Sequence, residues 1–246
     1  MEQALPPSFL LSIIFPVFNE ARRLPSAFFA IKQFIAESPI PCLEIIFVDD
    51  GSNDGTKQMV EEFMKNNQDP KVEWWLISYE QNRGKGYAVQ QGMFAANGNY
   101  ALMADIDMAT PLTELTQCLP HMQDGAPIII GSRKVATSIL VKPQPWYRQK
   151  MGETYALLAR LLTGLPYKDF GCGFKLFSQQ SARFLFPKII TTGWIFDTEI
   201  LYLAKKAGYP VVEVPVHWTD DRDTRVHVIK DIFSSLKDLL LIRFKH

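Results

Sequence analysis

The chain has 246 residues, 47% of them hydrophobic and 21% charged, and its 26 basic and 26 acidic side chains give a formal net charge of +0. This composition is ordinary for a globular protein, and the length is sufficient for one large domain. A chain without net positive charge is a poor candidate for binding nucleic acid, so any site for anions has to come from a local cluster of cations.

Apolar runs typical of buried strands alternate with segments of helical periodicity along the first half of the chain. The strands are predicted at residues 10–16, 43–48, 72–79, 100–104 and 128–130, and a predicted helix follows each of the first four. Such alternation predicts an α/β fold with a mostly parallel sheet and helices on both faces. In this architecture a ligand binds beyond the carboxyl ends of the strands.

The second half of the chain is less regular. It predicts a loop at 137–147, a helix at 151–162, a strand following the glycine-interrupted segment 169–173, a helix at 194–206 and a strand at 211–218. From Val228 onward, apolar residues recur at i, i+3, i+4 and i+7, which predicts an amphipathic helix. We therefore expect a single domain over residues 1–227 and a C-terminal amphipathic helix over 228–246, packed on the domain or on a membrane surface.

The cysteines and the hydropathy pattern indicate the compartment. The three cysteines include no Cys-x-x-Cys pair, which argues against a disulfide framework and against a cysteine zinc site. Residues 1–8 lack the basic region and the apolar core of a signal peptide, and no apolar run is long enough to span a bilayer. We expect a cytoplasmic protein, or one that is peripheral on the cytoplasmic face of a membrane. The four histidines show no metal-ligand spacing, and we expect them to be structural or on the surface.

Acidic residues follow two of the predicted strands. Asp105 and Asp107 lie two residues apart at a strand end and therefore project to the same side. Paired carboxylates suit Mg²⁺ or Mn²⁺, which also bind substrate phosphates. Asp49 and Asp50 end an earlier strand, where acidic residues can accept hydrogen bonds from the ribose and base of a nucleotide. Each motif alone would also fit a solvated loop or a capped turn.

Two cations lie at the same predicted edge of the sheet. Lys85 stands between Gly84 and Gly86, where it can contact a phosphate as a point charge. Arg133 follows the strand at 128–130 and can bind a phosphate bidentately, through two N–H donors of its guanidinium group. Either could be an ordinary surface residue. Together with the acidic strand ends, however, they describe a site for a nucleoside-diphosphate donor whose two phosphates are bridged by a metal.

Other reaction classes are disfavoured by missing motifs. No Gly-x-Gly-x-x-Gly follows the first strand, which argues against a dinucleotide dehydrogenase. No Gly-x-Ser-x-Gly or Cys/His pairing points to a covalent mechanism.

Five motifs occur in an order that resembles the inverting glycosyltransferases of family two, which have the GT-A (Rossmann-like) fold. They are residues 16–20, 48–56, 82–86, 105–107 and 131–133. The second half resembles the branch of this family that glucosylates dolichyl phosphate, at residues 169–177, 194–202, 217–219 and 238–243. The resemblance implies a metal-dependent transfer of glucose, with inversion, from UDP-glucose to a polyprenyl (dolichyl-type) phosphate.

The resemblance also implies roles for individual residues. The donor nucleotide sugar would contact Pro16, Asn19, Glu20, Asp49, Asp50, Ser52, Lys85, Asp105 and Glu199. The catalytic group would consist of Asp105, Asp107, Arg133, Lys175 and Asp197. Within it, Asp105 and Asp107 would hold Mg²⁺ or Mn²⁺ and the diphosphate, Arg133 and Lys175 would contact phosphate, and Asp197 would line the sugar end together with Glu199. An acceptor phosphate is ionised at neutral pH, so a strong general base is dispensable.

Several alternatives remain open from the sequence. The donor could be GDP-mannose or another nucleotide sugar, although Ala109 stands where the mannosyl branch often has glutamine and so favours glucose. The acceptor could be a soluble molecule. An inactive nucleotide-sugar binding module is disfavoured because Asp105 and Asp107 are intact. A nucleotidyltransferase usually has a glycine-rich loop where this chain has residues 16–20. The oligomeric state is left open.

Overall fold

The computed structural model describes residues 5–142, 146–219 and 228–246, with the side chains of 146–148 and 228–236 left aside. In these ranges no helix combines the length and the apolarity that crossing a bilayer requires.

The described residues form nine strands and eight α-helices. The strands are β1 Leu10–Val17, β2 Cys42–Asp49, β3 Val72–Ser78, β4 Tyr100–Ala104, β5 Ile128–Ser132, β6 Ile139–Lys142, β7 Phe174–Ser178, β8 Val211–Pro215 and β9 His217–Thr219. The α-helices are α1 Leu24–Glu37, α2 Thr56–Asn66, α3 Lys85–Ala95, α4 Leu115–Gln123, α5 Trp146–Thr163, α6 Gln179–Leu185, α7 Phe196–Lys206 and α8 Val228–Lys245. Short 3₁₀ turns occupy Leu112–Glu114 and Phe186–Lys188.

Seven strands form one central sheet in the order β3-β2-β1-β4-β7-β5-β8. The paired strands run parallel, except that β7 is antiparallel to both β4 and β5. The predicted α/β fold with a mostly parallel sheet is therefore confirmed. Because β7 runs against its neighbours, the turn that precedes it lies beside the carboxyl end of β4, which carries Asp105.

The sheet separates two hydrophobic cores because successive strand residues point to opposite faces. Ile13 and Phe47 belong to the core that also contains side chains of α1, α2 and α4. Ile14 and Ile46 belong to the core on the other face, which contains side chains of α3, α5, α6, α7 and α8. Burial on both faces explains why the strands read as continuous apolar runs.

Two predicted elements differ from the structure. The predicted loop at 137–147 contains strand β6 and the first residues of α5, while residues 143–145 lie outside the described chain. The predicted strand at 211–218 is divided at Val216 into β8, which extends the central sheet, and β9, which pairs with β6 in a separate two-stranded sheet. Both differences arise because β6 and β9 are held by pairing with each other, which no local periodicity reveals.

The C-terminal helix α8 contacts α5 and α7. Leu239 and Ile242 on this helix are fully buried in the second core, whereas Leu240 and Phe244 are exposed. The described end of α8 thus packs on the domain. The predicted boundary at residue 227 lies outside the described residues, and contact with a membrane stays a prediction.

Candidate active site

The loop that follows β4 carries Asp105 and Asp107. The Asp105 N–H donates to the carbonyl of Gly173, which ties this loop to the turn before β7. A Cβ atom added at Gly173 would overlap the Asp105 carboxylate, so only glycine allows the carboxylate to lie against this backbone. Met108 adopts the left-handed region at φ +53°, and Asp107 Oδ1 accepts the N–H of Ala109 at 3.0 Å. The chain is thereby turned sharply just after the two carboxylates.

Lys85, the first residue of α3, reaches this loop. Its ammonium lies 2.6 Å from Asp105 Oδ1. Burial alone would lower the pKa of Lys85, but the negative charges of Asp105 and Asp197 raise it above its ordinary value. Gly84, which precedes Lys85, has φ +98°. A Cβ atom added at Gly84 would also overlap the carbonyl oxygen of Thr192, so no side chain fits there. Lys85 is therefore a permanent cation in a fixed position beside Asp105.

Asp107 has a carboxyl group whose pKa is strongly perturbed. Burial and the negative charge of Asp105 raise the pKa of Asp107 to about 6. Among the described residues, no group of three or more His, Cys, Asp or Glu side chains converges on one point. Two carboxylates with the remaining positions left to water and phosphate are a donor set that Mg²⁺ and Mn²⁺ accept. The residues present therefore fit such an ion.

The two acidic residues at the end of β2 organise the neighbouring loops. Asp50 accepts hydrogen bonds from the Asn82 side chain at 2.8 Å and from the N–H groups of Arg83 and Gly84 at 2.7 and 2.9 Å. Asp49 accepts from the Ser52 N–H at 3.2 Å and from the Ser78 hydroxyl at 3.1 Å. Asp50 thus shapes the turn that delivers Lys85.

The end of β1 is linked to the loop after β2. Pro16 lies in β1, in register with Val48. The Asn19 N–H donates to Ser52 Oγ at 2.8 Å, and the Glu20 N–H donates to Thr56 Oγ1 at 2.7 Å. Asn19 itself has φ +53°. The predicted residues of these two loops therefore lie together at the carboxyl edge of the sheet.

Arg133 forms a two-pronged ion pair with Asp169. Its Nε and one terminal nitrogen lie 2.6 and 2.7 Å from the two carboxylate oxygens. Burial alone would raise the pKa of Asp169, but Arg133 lowers it to about 2. The guanidinium also lies over the Trp218 ring, 5.3 Å from its centroid. Arg133 is thus held flat between Asp169 and Trp218.

Lys175 on β7 is fully buried. Its ammonium donates to the carbonyls of Phe170 and Cys172 at 2.9 and 2.7 Å and to Asp197 Oδ1 at 2.6 Å. All three protons of the ammonium therefore have protein acceptors, and the structure does not present this group to a phosphate. Burial raises the pKa of Asp197, although Lys175 opposes the increase.

Glu199 on α7 lies in the interior beneath the loop at 189–195. Its carboxylate accepts the N–H groups of Ile190 and Thr191 at 2.9 and 2.8 Å and the Thr191 hydroxyl at 2.5 Å. The ring of His246 lies 2.6 Å from the same carboxylate. In the structure, Glu199 therefore stabilises the loop at 189–195 and does not face the residues at the carboxyl edge of the sheet.

The small β6–β9 sheet is attached beside the Asp105–Asp107 loop. The Thr219 N–H donates to the carbonyl of Ala109 at 2.9 Å, and the His217 ring lies 2.8 Å from Glu114. His217 and His246 therefore have structural partners, as predicted for the histidines. His227 lies outside the described residues.

Sequence reasoning missed three features of the site. Asp169 and Gly173 lie in segment 169–177, which carries part of the family resemblance. The sequence assigns no role to these two residues, yet they hold Arg133 and accommodate Asp105. Trp194 begins segment 194–202, a predicted helix that also carries the family resemblance, and the sequence assigns no role to its side chain, yet the Lys85 ammonium lies 4.9 Å from its ring centroid. A useful signal would have been an aspartate and two glycines placed directly before a strand.

Comparison with known proteins gives a consistent result. Residues 12–186 match the family described as Glycosyl transferase family 2. The dolichyl-phosphate beta-glucosyltransferase of Dictyostelium discoideum is 35% identical over 245 residues, which cover 96% of this chain and 74% of that protein. The protein of the same name from Homo sapiens is 30% identical over 250 residues, covering 98% of this chain and 76% of that protein.

Solved structures show the same fold at low sequence identity. Glucosyl-3-phosphoglycerate synthase from Mycobacterium tuberculosis, in complex with Mn²⁺, UDP and glucosyl-3-phosphoglycerate, has a TM-score of 0.68 at 17% identity, covering 96% of this chain and 80% of that chain. Mannosyl-3-phosphoglycerate synthase from Rubrobacter xylanophilus also has a TM-score of 0.68, at 19% identity, covering 96% of this chain and 74% of that chain. These likenesses confirm the GT-A fold. Because the family match spans most of the chain and the relatives align over nearly all of it, the chain belongs to glycosyl transferase family 2 and is a glycosyltransferase.

Proposed function

We propose that this glycosyltransferase moves glucose from UDP-glucose to a polyprenyl phosphate of the dolichyl type, with inversion at the anomeric carbon and with Mg²⁺ or Mn²⁺. Relatives named dolichyl-phosphate beta-glucosyltransferase, at 30% and 35% identity over nearly the whole chain, support glucose as the transferred sugar and dolichyl phosphate as the acceptor. Apart from Glu199, the predicted donor residues lie at one edge of the sheet, which is where nucleotides bind in such folds.

The observation that carries the proposal is the charge arrangement after β4. Asp105 is close enough to Asp107 for its negative charge to raise the pKa of the Asp107 carboxyl, and the Lys85 ammonium is 2.6 Å from Asp105. A cation held beside two neighbouring aspartates suits the diphosphate of a nucleotide sugar, because Lys85 would neutralise a phosphate oxygen. Asp105 and Asp107 would hold the metal, which supplies charge stabilisation of the leaving diphosphate when bound.

The residues of the chain position the reactants. Asp50 fixes the turn that delivers Lys85, and we assign the ribose and base to the linked loops that contain Glu20 and Asp49. We assign the phosphate of the acceptor to Arg133, whose Nε and one terminal nitrogen are held by Asp169. Since that phosphate is already ionised, the transfer needs alignment of its oxygen with the anomeric carbon more than it needs a base.

Contact with a membrane surface is part of the proposal because a polyprenyl phosphate resides there. The neighbouring helices α5 and α8 expose apolar side chains: Leu157 is 52% exposed, Leu161 72% and Phe244 83%. Arg243 lies close to Phe244 in the chain, where a cation can meet lipid headgroups. We place the protein peripherally on the cytoplasmic face of a membrane.

The test is a transfer assay with labelled UDP-glucose, Mn²⁺ or Mg²⁺ and a short polyprenyl phosphate, followed by organic extraction. We expect label in the organic phase, and we expect Asp107→Asn to lose at least about 100-fold in rate. Asp124→Asn is the matched control, since Asp124 is exposed beyond the end of α4.

Different failures have different meanings. Label that stays in water with UDP-glucose but enters the organic phase with GDP-mannose would replace the donor and keep the acceptor. Label that stays in water with every nucleotide sugar would refute the lipid acceptor. A fully active Asp107→Asn protein would refute the assignment of the metal.

A further inference from the structure

An exposed tryptophan stands at the rim of the site. Trp194 is 58% exposed, although it lies directly before α7, whose first residues are buried. The Lys85 ammonium is 4.9 Å from the centroid of the indole ring and 2.6 Å from Asp105 Oδ1. The indole therefore lies against the Lys85 ammonium and keeps much of its surface open to solvent.

The loop that carries Trp194 is held from both sides. Below it, Glu199 accepts three hydrogen bonds from Ile190 and Thr191. Beside it, the carbonyl of Thr192 accepts the N–H of Gly86 at 2.7 Å. These bonds connect the loop directly to the segment of Lys85. The loop therefore holds the indole in place, and the ring is exposed although its loop is fixed by hydrogen bonds.

We propose that the Trp194 ring is a stacking platform for the hexosyl ring of the nucleotide-sugar donor. This inference rests on the proposed function and assigns a positioning and specificity residue to it. A glucopyranose ring presents flat C–H faces because its ring hydroxyls are equatorial, and such faces pack well on an indole. The sugar is joined to the diphosphate, and Lys85 is the cation assigned to that diphosphate, so the sugar comes to lie beside Lys85. An axial hydroxyl that projects from the face packed on the indole would disturb the packing, which provides selectivity.

Binding measurements without acceptor isolate this role. UDP-glucose and UDP are each titrated, with Mn²⁺ present, into the full chain and into Trp194→Ala, Trp194→Phe and Trp75→Ala by calorimetry. Trp75→Ala is the matched control, because Trp75 is 47% exposed and lies on β3. We expect Trp194→Ala to weaken UDP-glucose binding about 5- to 10-fold and to leave UDP within about twofold of wild type. Trp194→Phe should recover most of the loss.

Other outcomes overturn the platform in distinguishable ways. Equal weakening of UDP and UDP-glucose would mean that the indole acts on the diphosphate through Lys85. Unchanged binding of both, with a raised KM for polyprenyl phosphate in the transfer assay, would assign the ring to the acceptor. Wild-type protein that binds neither ligand would refute the proposed donor itself and the platform with it.

Discussion

Replacing Lys175 by methionine tests how the interior of the site is held together. Methionine keeps an unbranched stem but removes the charge and all three donors. The carboxylate of Asp197 would then be buried without its cation, and the carbonyls of Phe170 and Cys172 would lose a donor. The Lys175 and Asp197 side chains are only 1% and 7% exposed, so solvent cannot readily replace the lost partner.

The expected loss is large for a single substitution. Removing one partner of a buried ion pair costs about 3–5 kcal/mol, and each buried carbonyl without a donor adds about 1–3 kcal/mol before relaxation. The contributions overlap, so we expect Lys175→Met to lower the free energy of unfolding by about 5 kcal/mol. That is a substantial part of the about 5–15 kcal/mol available to a typical domain.

Urea unfolding of the full chain measures this loss against a matched control. Lys150 forms the same kind of pair with Glu153, but their side chains are 73% and 41% exposed. Lys150→Met should therefore cost at most about 0.5 kcal/mol. If Lys175→Met is too unstable to purify, Lys175→Met with Asp197→Leu removes both charges and should fold, because a buried pair can often be replaced by apolar side chains.

The pH dependence gives a second measurement of the same pair. Burial already raises the pKa of Asp197, and losing Lys175 raises it further. A carboxyl whose folded-state pKa lies above its unfolded value costs stability at high pH, and the cost disappears as the pH falls below the folded pKa. The deficit of Lys175→Met should therefore shrink as the pH falls from alkaline values toward the ordinary titration range of a carboxyl group. A deficit equal to that of Lys150→Met, or a double variant no more stable than the single one, would refute the reasoning.

Three further predictions concern the rest of the site. Mn²⁺ should raise the unfolding temperature by at least about 3 °C near pH 7.5 and by less near pH 5. Burial and the neighbouring carboxylate raise the pKa of Asp107 to about 6, so that at pH 5 protons compete with Mn²⁺ for this carboxylate. An equal temperature shift in Asp107→Asn would contradict this. Asp169→Asn should cost about 2 kcal/mol near neutral pH, because Arg133 lowers the pKa of Asp169 from 3.8 to about 2 despite its burial; in acid unfolding this difference should vanish as the pH falls from about 4 to 2. Gly173→Ala should reduce transfer at least about 10-fold, whereas Gly152→Ala, which meets nothing within 4 Å, should not.

The strands of the first half could be predicted because burial leaves a simple mark. Seven of the eight residues of β2 are buried, so both faces of the strand are covered and its apolar run is interrupted only by Glu44 before it ends at Asp49. β6 has the opposite character, since all four of its residues are exposed. It forms because β9, far away in the chain, supplies its partner. A strand that depends on distant pairing and not on burial leaves no local pattern.

The position of the site was predictable, whereas the contacts within it were not. The rule that polar residues gather at the carboxyl ends of parallel strands brought Asp50, Lys85 and Asp105 together correctly. The same rule cannot say which acceptor a cation takes. Lys175 and Glu199 both lie in apolar segments, and only the packed structure reveals that their charges serve neighbouring backbone groups.

The aspartates of the site differ in whether a basic side chain balances their negative charge, and this difference predicts where a divalent cation would bind most strongly. The carboxylates of Asp105, Asp169 and Asp197 each form an ion pair with a lysine or arginine at 2.6 Å. Asp107 instead accepts a backbone N–H, from Ala109, and burial together with the charge of Asp105 raises its pKa to about 6. A cation gains most where negative charge is least compensated, because the protein has not already neutralised it. Asp107 should therefore dominate metal affinity, while Asp105 divides its charge between the metal and Lys85, and Asp105→Asn should weaken the binding of Mn²⁺ less than Asp107→Asn does.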